Sequence, residues 1–393
     1  MRLVVLSDLN PIRFPGAASI AFGLAQEAKE ENDVEFWCAD SKGGQSSDPD
    51  EVAKRIREIS DNRIQKMEGN LLQRFYFEIL GFRECYWLYR QIKEFQPTHV
   101  WIHQIGSRFP KSIIPLLKFL KIPVVVTIHD FSLIFNRKLY PADVNFSDDQ
   151  TSLSFRERMN VGFYLSAQKD ERRLLLNVRR KLVLFLYSFA DQIICISDLQ
   201  ASVLKKIGLQ VNGVLPNGTK KCDCKLDSKL GDSKFNILFA GRPNAKGLEL
   251  LLEATKKNTD AHLHLAGGLR LVELAQEILE NDRFTYHGLL SADEIAKLLH
   301  QVQLVSVLSQ CFDVYPTITI EALSHKIPVL TTNLTGNSNL VTKLFDSLVI
   351  NYGQIPDLKQ VQEVLSNSKL IFPEIITVKD SWKSYKSIFN QTS

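Results

Sequence analysis

The sequence predicts an α/β protein of two doubly wound, parallel-sheet (Rossmann-like) domains facing one central cleft. Two observations predict it. Short apolar runs alternate with amphipathic helical stretches through both halves of the chain, the pattern of parallel strands buried on both faces and joined by helical crossovers. A chain of 393 residues with 45% hydrophobic content carries enough apolar material for two cores, at ~100–200 residues per domain.

Residues 3–7, Leu-Val-Val-Leu-Ser, form a first strand with no polar alternation, as expected at the centre of a parallel sheet. The loop after it reaches Gly16, and a helix follows with Ile20, Phe22 and Leu24 on its apolar side. Residues 34–39 give a second strand. Between 71 and 94 the sequence is helical and aromatic on more than one face, with Phe75, Phe77, Phe82, Tyr86 and Trp87. Burial in the domain is the expectation, and contact with a lipid-bearing partner the alternative. Residues 99–103 and 124–128 are strands flanking a helix at 111–120, and the second ends in His129-Asp130. The carboxyl edge of a parallel strand is where α/β sheets place ligands, so His129 is a candidate hydrogen-bond donor to a ligand there, with strand capping as the structural alternative.

Residues 136–169 are polar and irregular. In the helix 172–189, Leu174, Leu175, Val178, Leu182 and Phe185 lie on one side, and Arg172, Arg173, Arg179 and Arg180 on the other. A solvated basic face is the expectation; a helix lying in a membrane interface is the alternative. A strand at 191–196, a helix at 198–207 and a strand at 211–215 complete the first half, which ends at Pro216-Asn217-Gly218. The polar stretch 219–234 reads as a linker.

The second half opens on Phe235-Asn236-Ile237-Leu238-Phe239-Ala240-Gly241-Arg242-Pro243-Asn244-Ala245-Lys246-Gly247, a buried strand, a turn and then the helix 248–256. Gly241 and Gly247 allow close backbone approach, while Arg242 and Lys246 bring two positive charges to the strand end, a pairing that suits a diphosphate. Strands at 262–266, 284–287 and 304–308 alternate with helices at 269–279 and 291–301, the latter starting on a Ser291/Glu294 capping box. Asp313 lies in the loop beyond, and Glu321 follows eight positions later before Ala322-Leu323. A helix beginning at Thr319 or Ile320 puts Glu321 in its first turn, where free N–H groups accept anions and a carboxylate can receive sugar hydroxyls. Residues 357–370 and 378–389 are the last helices, the latter with Trp382, Tyr385 and Ile388 at helical spacing.

The Gly-Arg-x-x-x-Lys-Gly turn at 241–247 and the acidic-x7-Glu-Ala motif at 313–322 resemble the retaining glycosyltransferases of group 1 (family 4). The likeness extends through Thr127-Ile128-His129-Asp130-Phe131, Ala190-Asp191-Gln192-Ile193-Ile194-Cys195-Ile196-Ser197 and Leu215-Pro216-Asn217-Gly218. It implies the GT-B fold: an acceptor-side domain over 1–218, a linker over 219–234, a nucleotide-sugar domain over 235–374, and a terminal helix over 375–393 that crosses back to the first. It also implies a UDP- or GDP-sugar donor, a glycan or lipid-linked acceptor, and work in cell-envelope or exopolysaccharide assembly. Arg242 and Lys246 would stabilise the departing diphosphate, Glu321 the ribose hydroxyls, Asp313 the hydroxyls of the sugar, and His129 the sugar or the acceptor. Gly16 and Asn217 join the donor-binding set. The chain departs from the family at Asp313, where Glu is usual, at Lys326, a usual glycine, and at Asn339, often Glu.

No metal or other cofactor is implied, because the two cations can carry the diphosphate's charge and no Asp-x-Asp motif stands in a convincing context. The net charge of +4 argues only weakly for nucleic acid. The six scattered cysteines read as cytosolic thiols, with Cys222-Asp223-Cys224 lacking a second pair for a metal site. With no stretch near the ~20 apolar residues needed to cross a bilayer, the expectation is a cytoplasmic protein, at most peripheral on the inner face of the membrane. Competing readings are an inactive homologue that binds a partner or glycan, and a sugar-nucleotide epimerase.

Overall fold

The computed structural model describes residues 1–8, 11, 16–39, 56–59, 76, 78–106, 109–131, 133, 140–141, 173–220, 234–241, 246–267 and 281–392. The elements up to the middle of the chain are β1 (Arg2–Ser7), α1 (Ala17–Lys29), β2 (Asp33–Ala39), β3 (Ile56–Ile59), α2 (Phe82–Phe95), β4 (His99–Gln104), α3 (Ile113–Phe119), β5 (Val124–Ile128), β6 (Tyr140–Pro141), α4 (Arg173–Tyr187), β7 (Gln192–Cys195), α5 (Asp198–Lys206) and β8 (Gly213–Val214). Beyond them lie β9 (Phe235–Ala240), α6 (Leu248–Lys257), β10 (Ala261–Ala266), β11 (Phe284–Gly288), α7 (Ala292–Leu299), β12 (Leu304–Val307), β13 (Cys311–Phe312), α8 (Thr317–Ser324), β14 (Val329–Thr332), α9 (Ser338–Thr342), β15 (Val349–Ile350), α10 (Leu358–Asn367) and α11 (Val378–Thr392). The chain divides into two compact units, Met1–Lys138 with Phe146–Gly218 and Val378–Ser393, and Leu139–Asn145 with Thr219–Thr377.

The first unit is built on a seven-stranded sheet in the order β3-β2-β1-β4-β5-β7-β8, every pairing parallel. Leu3, Val4, Val5 and Leu6 of β1 are fully buried, which is what an apolar run without alternation requires of a strand covered on both faces. The strand order reverses between β1 and β4. On one face α11 packs against α1 and the sheet, and its Trp382, Tyr385 and Phe389 join Leu3, Ala21, Leu24, Trp101 and Val125 in one core. Each such ring stabilises the unit by about 1.5–3 kcal/mol through burial alone.

The structure corrects two expectations in this unit. Arg179 and Arg180 of α4 are buried, not solvated. Arg179 donates from Nε to Oε2 of Glu78 at 2.7 Å, and Lys111 pairs with the same carboxylate. Burial alone would raise the pKa of Glu78, but Lys111 and Arg179 outweigh it and hold the carboxyl below its ordinary range. A charge placed indoors needs that compensation. The aromatic segment around α2 is also only half indoors. Ile79, Leu88, Ile92 and Phe95 are buried, while Phe82 is 64% and Tyr86 65% exposed.

The second unit has a six-stranded parallel sheet in the order β11-β10-β9-β12-β14-β15, reversing between β9 and β12. A separate antiparallel pair joins β13 to β6, a strand inside a region whose sequence reads as irregular. The capping box at the start of α7 forms as expected, with Ser291 N donating to Glu294 Oε2 at 2.7 Å. The sequence-predicted helix at 269–279, Cys222, Cys224 and most of 136–169 lie outside the described residues.

Candidate functional site

In doubly wound sheets the strand-order reversal opens a crevice at the carboxyl ends of the strands. In the second unit the reversal brings the end of β9 beside the end of β12. β9 runs into Gly241, whose φ is 138°, and α6 starts on Gly247, whose φ is 71°. Both values are glycine's territory. At Gly247 the constraint is steric as well, since a Cβ there would lie 2.1 Å from the carbonyl oxygen of Leu308 at the end of β12. Gly247 is therefore pressed against the end of the neighbouring strand, with Lys246 directly before it.

Lys246 Nζ forms an ion pair with Asp313 Oδ2, and Ser309 Oγ donates to the same oxygen at 3.1 Å. Both charged side chains are partly buried. Asp313 is fixed from behind: its N–H donates to Leu334 O at 3.0 Å and its carbonyl accepts from Gly336 N at 2.8 Å. Two residues that sequence reasoning assigned to different jobs, the cation for a diphosphate and the carboxylate for a sugar, thus hold each other. Arg242 lies outside the described residues.

Glu321 stands differently from its expected place. α8 begins at Thr317, directly after Pro316, so Glu321 falls in the second turn and no acidic residue occupies the first. Proline fixes φ and lacks a donor, and the chain can enter a helix from it at once. Burial raises the pKa of the Glu321 carboxyl, opposed by a hydrogen bond from the Thr317 side chain. Asn337 closes this corner. It is fully buried, with Nδ2 donating to Pro316 O at 3.0 Å and Oδ1 unpartnered.

The remaining sequence-predicted residues belong to the first unit. His129 follows β5, and its Nε2 lies 2.8 Å from Nδ1 of His103 at the end of β4. Burial lowers its pKa to about 4, so the ring is neutral at pH 7. Gly16 begins α1 with φ 110° and open space where a Cβ would stand. Asn217 is buried just beyond β8, next to Pro216, whose carbonyl accepts from Ser381 Oγ of α11 at 3.3 Å. Sequence reasoning missed His103, Ser309 and Asn337. A second histidine at the end of the strand beside His129 was the signal for the first; nothing local marks the other two.

Among the described residues no group of three His, Cys, Asp or Glu is arranged to hold a metal ion, and no helix is long and apolar enough to cross a membrane. Cys38, Cys85, Cys195 and Cys311 take part in no disulfide.

Comparison with known proteins places these observations. The family described as Glycosyltransferase Family 4 matches residues 15–220, and that described as Glycosyl transferases group 1 matches residues 226–371. No curated protein gives a significant sequence match. Among solved structures, sucrose-phosphate synthase from Thermosynechococcus elongatus superposes with a TM-score of 0.65 at 14% identity, over 100% of this chain and 99% of that one. The Anabaena protein HepE, solved with UDP and glucose, gives a TM-score of 0.65 at 15% identity over 99% of each chain. A glycosyltransferase from Rickettsia africae gives 0.63 at 12% identity, over 100% and 98%. Likenesses at these identities carry the fold, which is GT-B.

Proposed function

This chain belongs to glycosyltransferase family 4 of the group 1 transferases, and we propose that it is a retaining hexosyltransferase acting on a nucleoside-diphosphate sugar. The donor is a UDP- or GDP-sugar and the acceptor a glycan or lipid-linked glycan, in cell-envelope or exopolysaccharide synthesis. The observation that carries this reading is the Lys246 ammonium, held at the strand-order reversal of the second unit by Asp313, whose carboxylate also accepts from Ser309. When the bond between the anomeric carbon and the diphosphate breaks, negative charge grows on the leaving oxygens. A preorganised cation is worth most when it acts on charge that develops in the transition state.

Lys246, with Arg242, neutralises the departing diphosphate without a metal. Asp313 accepts from hydroxyls of the sugar, and Glu321 from those of the ribose. His129 serves a hydroxyl of the sugar or acceptor, and Gly16, Gly241 and Asn217 contribute to donor binding. The new bond forms from the acceptor oxygen to the anomeric carbon on the face the diphosphate leaves, and the acceptor's proton passes to a leaving phosphate oxygen. HepE, solved with UDP-glucose, supports UDP as the first nucleotide to try.

A thermal-shift series with UDP, GDP and ADP tests the reading. At ~100 times Kd a ligand adds about 2.7 kcal/mol, a rise of several degrees in the midpoint. A rise with one nucleotide, lost in Lys246→Ala, is expected; no rise with any of them favours an inactive binding homologue.

The lipid-linked class of acceptor is supported by the outer faces of α2 and α4. Phe82, Tyr86 and Phe185 are exposed there, with Arg83 and Lys181 beside them, the aromatic and basic mixture that suits an anionic interface. Sedimentation with vesicles containing anionic lipid, and release at high salt, is the expected result; recovery in the supernatant at low salt leaves the soluble glycan as acceptor.

A further inference from the structure

At the carboxyl ends of β4 and β5 two imidazoles face each other. Their rings are stacked, with centroids 5.1 Å apart and planes 21° apart, and His103 Nδ1 lies 2.8 Å from His129 Nε2. On its other side His103 rests on Trp101, with centroids 4.4 Å apart. Its second nitrogen, Nε2, is buried without a hydrogen-bond partner. Burial lowers the pKa of both rings, so each is neutral and carries one N–H.

One proton therefore lies between the two nitrogens, and it can sit on either ring. If His129 donated from Nε2, His103 would carry its own proton on Nε2, where a buried N–H would face no acceptor. If His103 donates from Nδ1, its N–H is satisfied and only a lone pair goes unused. Buried donors without partners are rarer than under-used acceptors, which decides for the second arrangement. His129, accepting at Nε2, must then carry its proton on Nδ1.

We propose that His103 is a positioning residue for His129, donating from Nδ1 to Nε2 and so fixing His129 as the tautomer that offers an N–H, not a lone pair, from Nδ1. The proposal rests on the reading of His129 given above for its consequence: toward a hydroxyl of sugar or acceptor His129 acts as a neutral hydrogen-bond donor and not as a base. The His103 ring is itself held from the far end of the chain. Trp101 Nε1 donates to Thr127 Oγ1 at 2.9 Å, Thr127 donates to the Tyr385 hydroxyl at 3.1 Å, and Tyr385 and Phe389 of α11 pack on the Trp101 ring. A partner that sets a histidine's tautomer through its other nitrogen is a recurring device.

The test is the nitrogen spectrum of the full chain labelled at its eight histidines, with His129→Gln identifying the signals of His129. At pH 7 the wild type should show His129 protonated at Nδ1 and bare at Nε2. His103→Phe keeps a ring on Trp101 but loses the donor, and should shift His129 toward the Nε2–H form. His103→Asn restores an N–H near the Nδ1 position and should bring the first tautomer back. A wild-type His129 protonated at Nε2 overturns the proposal, as does an unchanged tautomer in His103→Phe. Should His103→Phe fail to fold, the wild-type and His103→Asn spectra still decide.

Titration with UDP and UDP-glucose separates this from the donor reading. His103→Phe should lower affinity for UDP-glucose about tenfold, one hydrogen bond's worth, with UDP unchanged and with rescue by His103→Asn. An equal loss for both ligands marks a merely structural role and overturns the positioning claim. No binding of UDP-glucose by the wild type overturns the donor reading and leaves the tautomer result to stand or fall by itself.

Discussion

Lys246 and Asp313, beyond β9 and β12, form an ion pair and hold each other, whereas the buried His103 and the half-buried His129, at the ends of β4 and β5, are neutral. The two units share a doubly wound plan, yet the groups at their strand ends are kept in place by different physics. In the second unit position is maintained by countercharge, and a ligand of the right charge can take Lys246 over. In the first it is maintained by shape and a single shared proton, which an anion does not disturb. The contrast suits the proposed reaction, in which charge builds on the leaving diphosphate while His129, offered to a hydroxyl, stays uncharged.

Lys246→Ala attacks the charged end directly and should cost the most, on the order of 10²-fold in sugar transfer with the melting midpoint little changed. Wild-type turnover in that variant would take the ammonium out of the reaction. Gly247→Ala acts on the scaffold of the same end. Its methyl group meets the Leu308 carbonyl, and a loss of about 1–3 kcal/mol in stability is expected, read by chemical denaturation. An unchanged midpoint would mean that the turn relaxes freely.

Asp313→Asn sharpens the comparison, because it frees the cation while keeping the shape. Transfer should fall about tenfold, one hydrogen-bonded charge's worth, yet UDP should bind roughly threefold tighter, since it no longer competes with a carboxylate. Weaker UDP binding would show that Asp313 orients Lys246 and does not compete for it. The neutral end predicts a smaller, pH-dependent effect. With His129 lowered from its ordinary 6.5 to about 4, the unfolded chain binds more protons than the folded one between those values. Stability present above pH 6.5 should therefore drain away as the pH falls toward 4. His129→Gln should flatten part of that slope in acid melts; an identical slope would assign it to other groups.

Much of the charged end could be read from the sequence, because its parts are close along the chain. The strand 235–240, the two glycines and Lys246 occupy thirteen consecutive residues, and a strand, turn and helix leave little freedom in how they fold. Asp313 was legible as a candidate but its pairing with Lys246 was not, since that depends on β9 and β12 lying side by side. The start of α8 was misplaced because Thr317-Ile318-Thr319-Ile320 is a β-branched run that favours strands by local preference; burial of Ile318 and Ile320 in the fold overrides it. The solvated basic face of α4 failed for a related reason. Periodicity reveals that Arg179 stands opposite the leucines, but its acceptor, Glu78, lies a hundred residues upstream in an aromatic stretch. His103 and His129 were both visible as strand-end residues, and only the register of β4 on β5 makes them a pair.

The last helix carries one more consequence. α11 supplies Trp382, Tyr385 and Phe389 to a core whose other members begin at Leu3. A ribosome makes the chain from Leu3 toward Phe389, so the first unit waits through the synthesis of the whole second unit with Trp101 and its neighbours uncovered. Domains that can do so fold as they emerge; this one is completed only once α11 has left the exit tunnel. Chains stalled or clipped before residue 378 would present that aromatic surface to chaperones and proteases, so the quality of the amino-terminal fold reports whether translation passed α11.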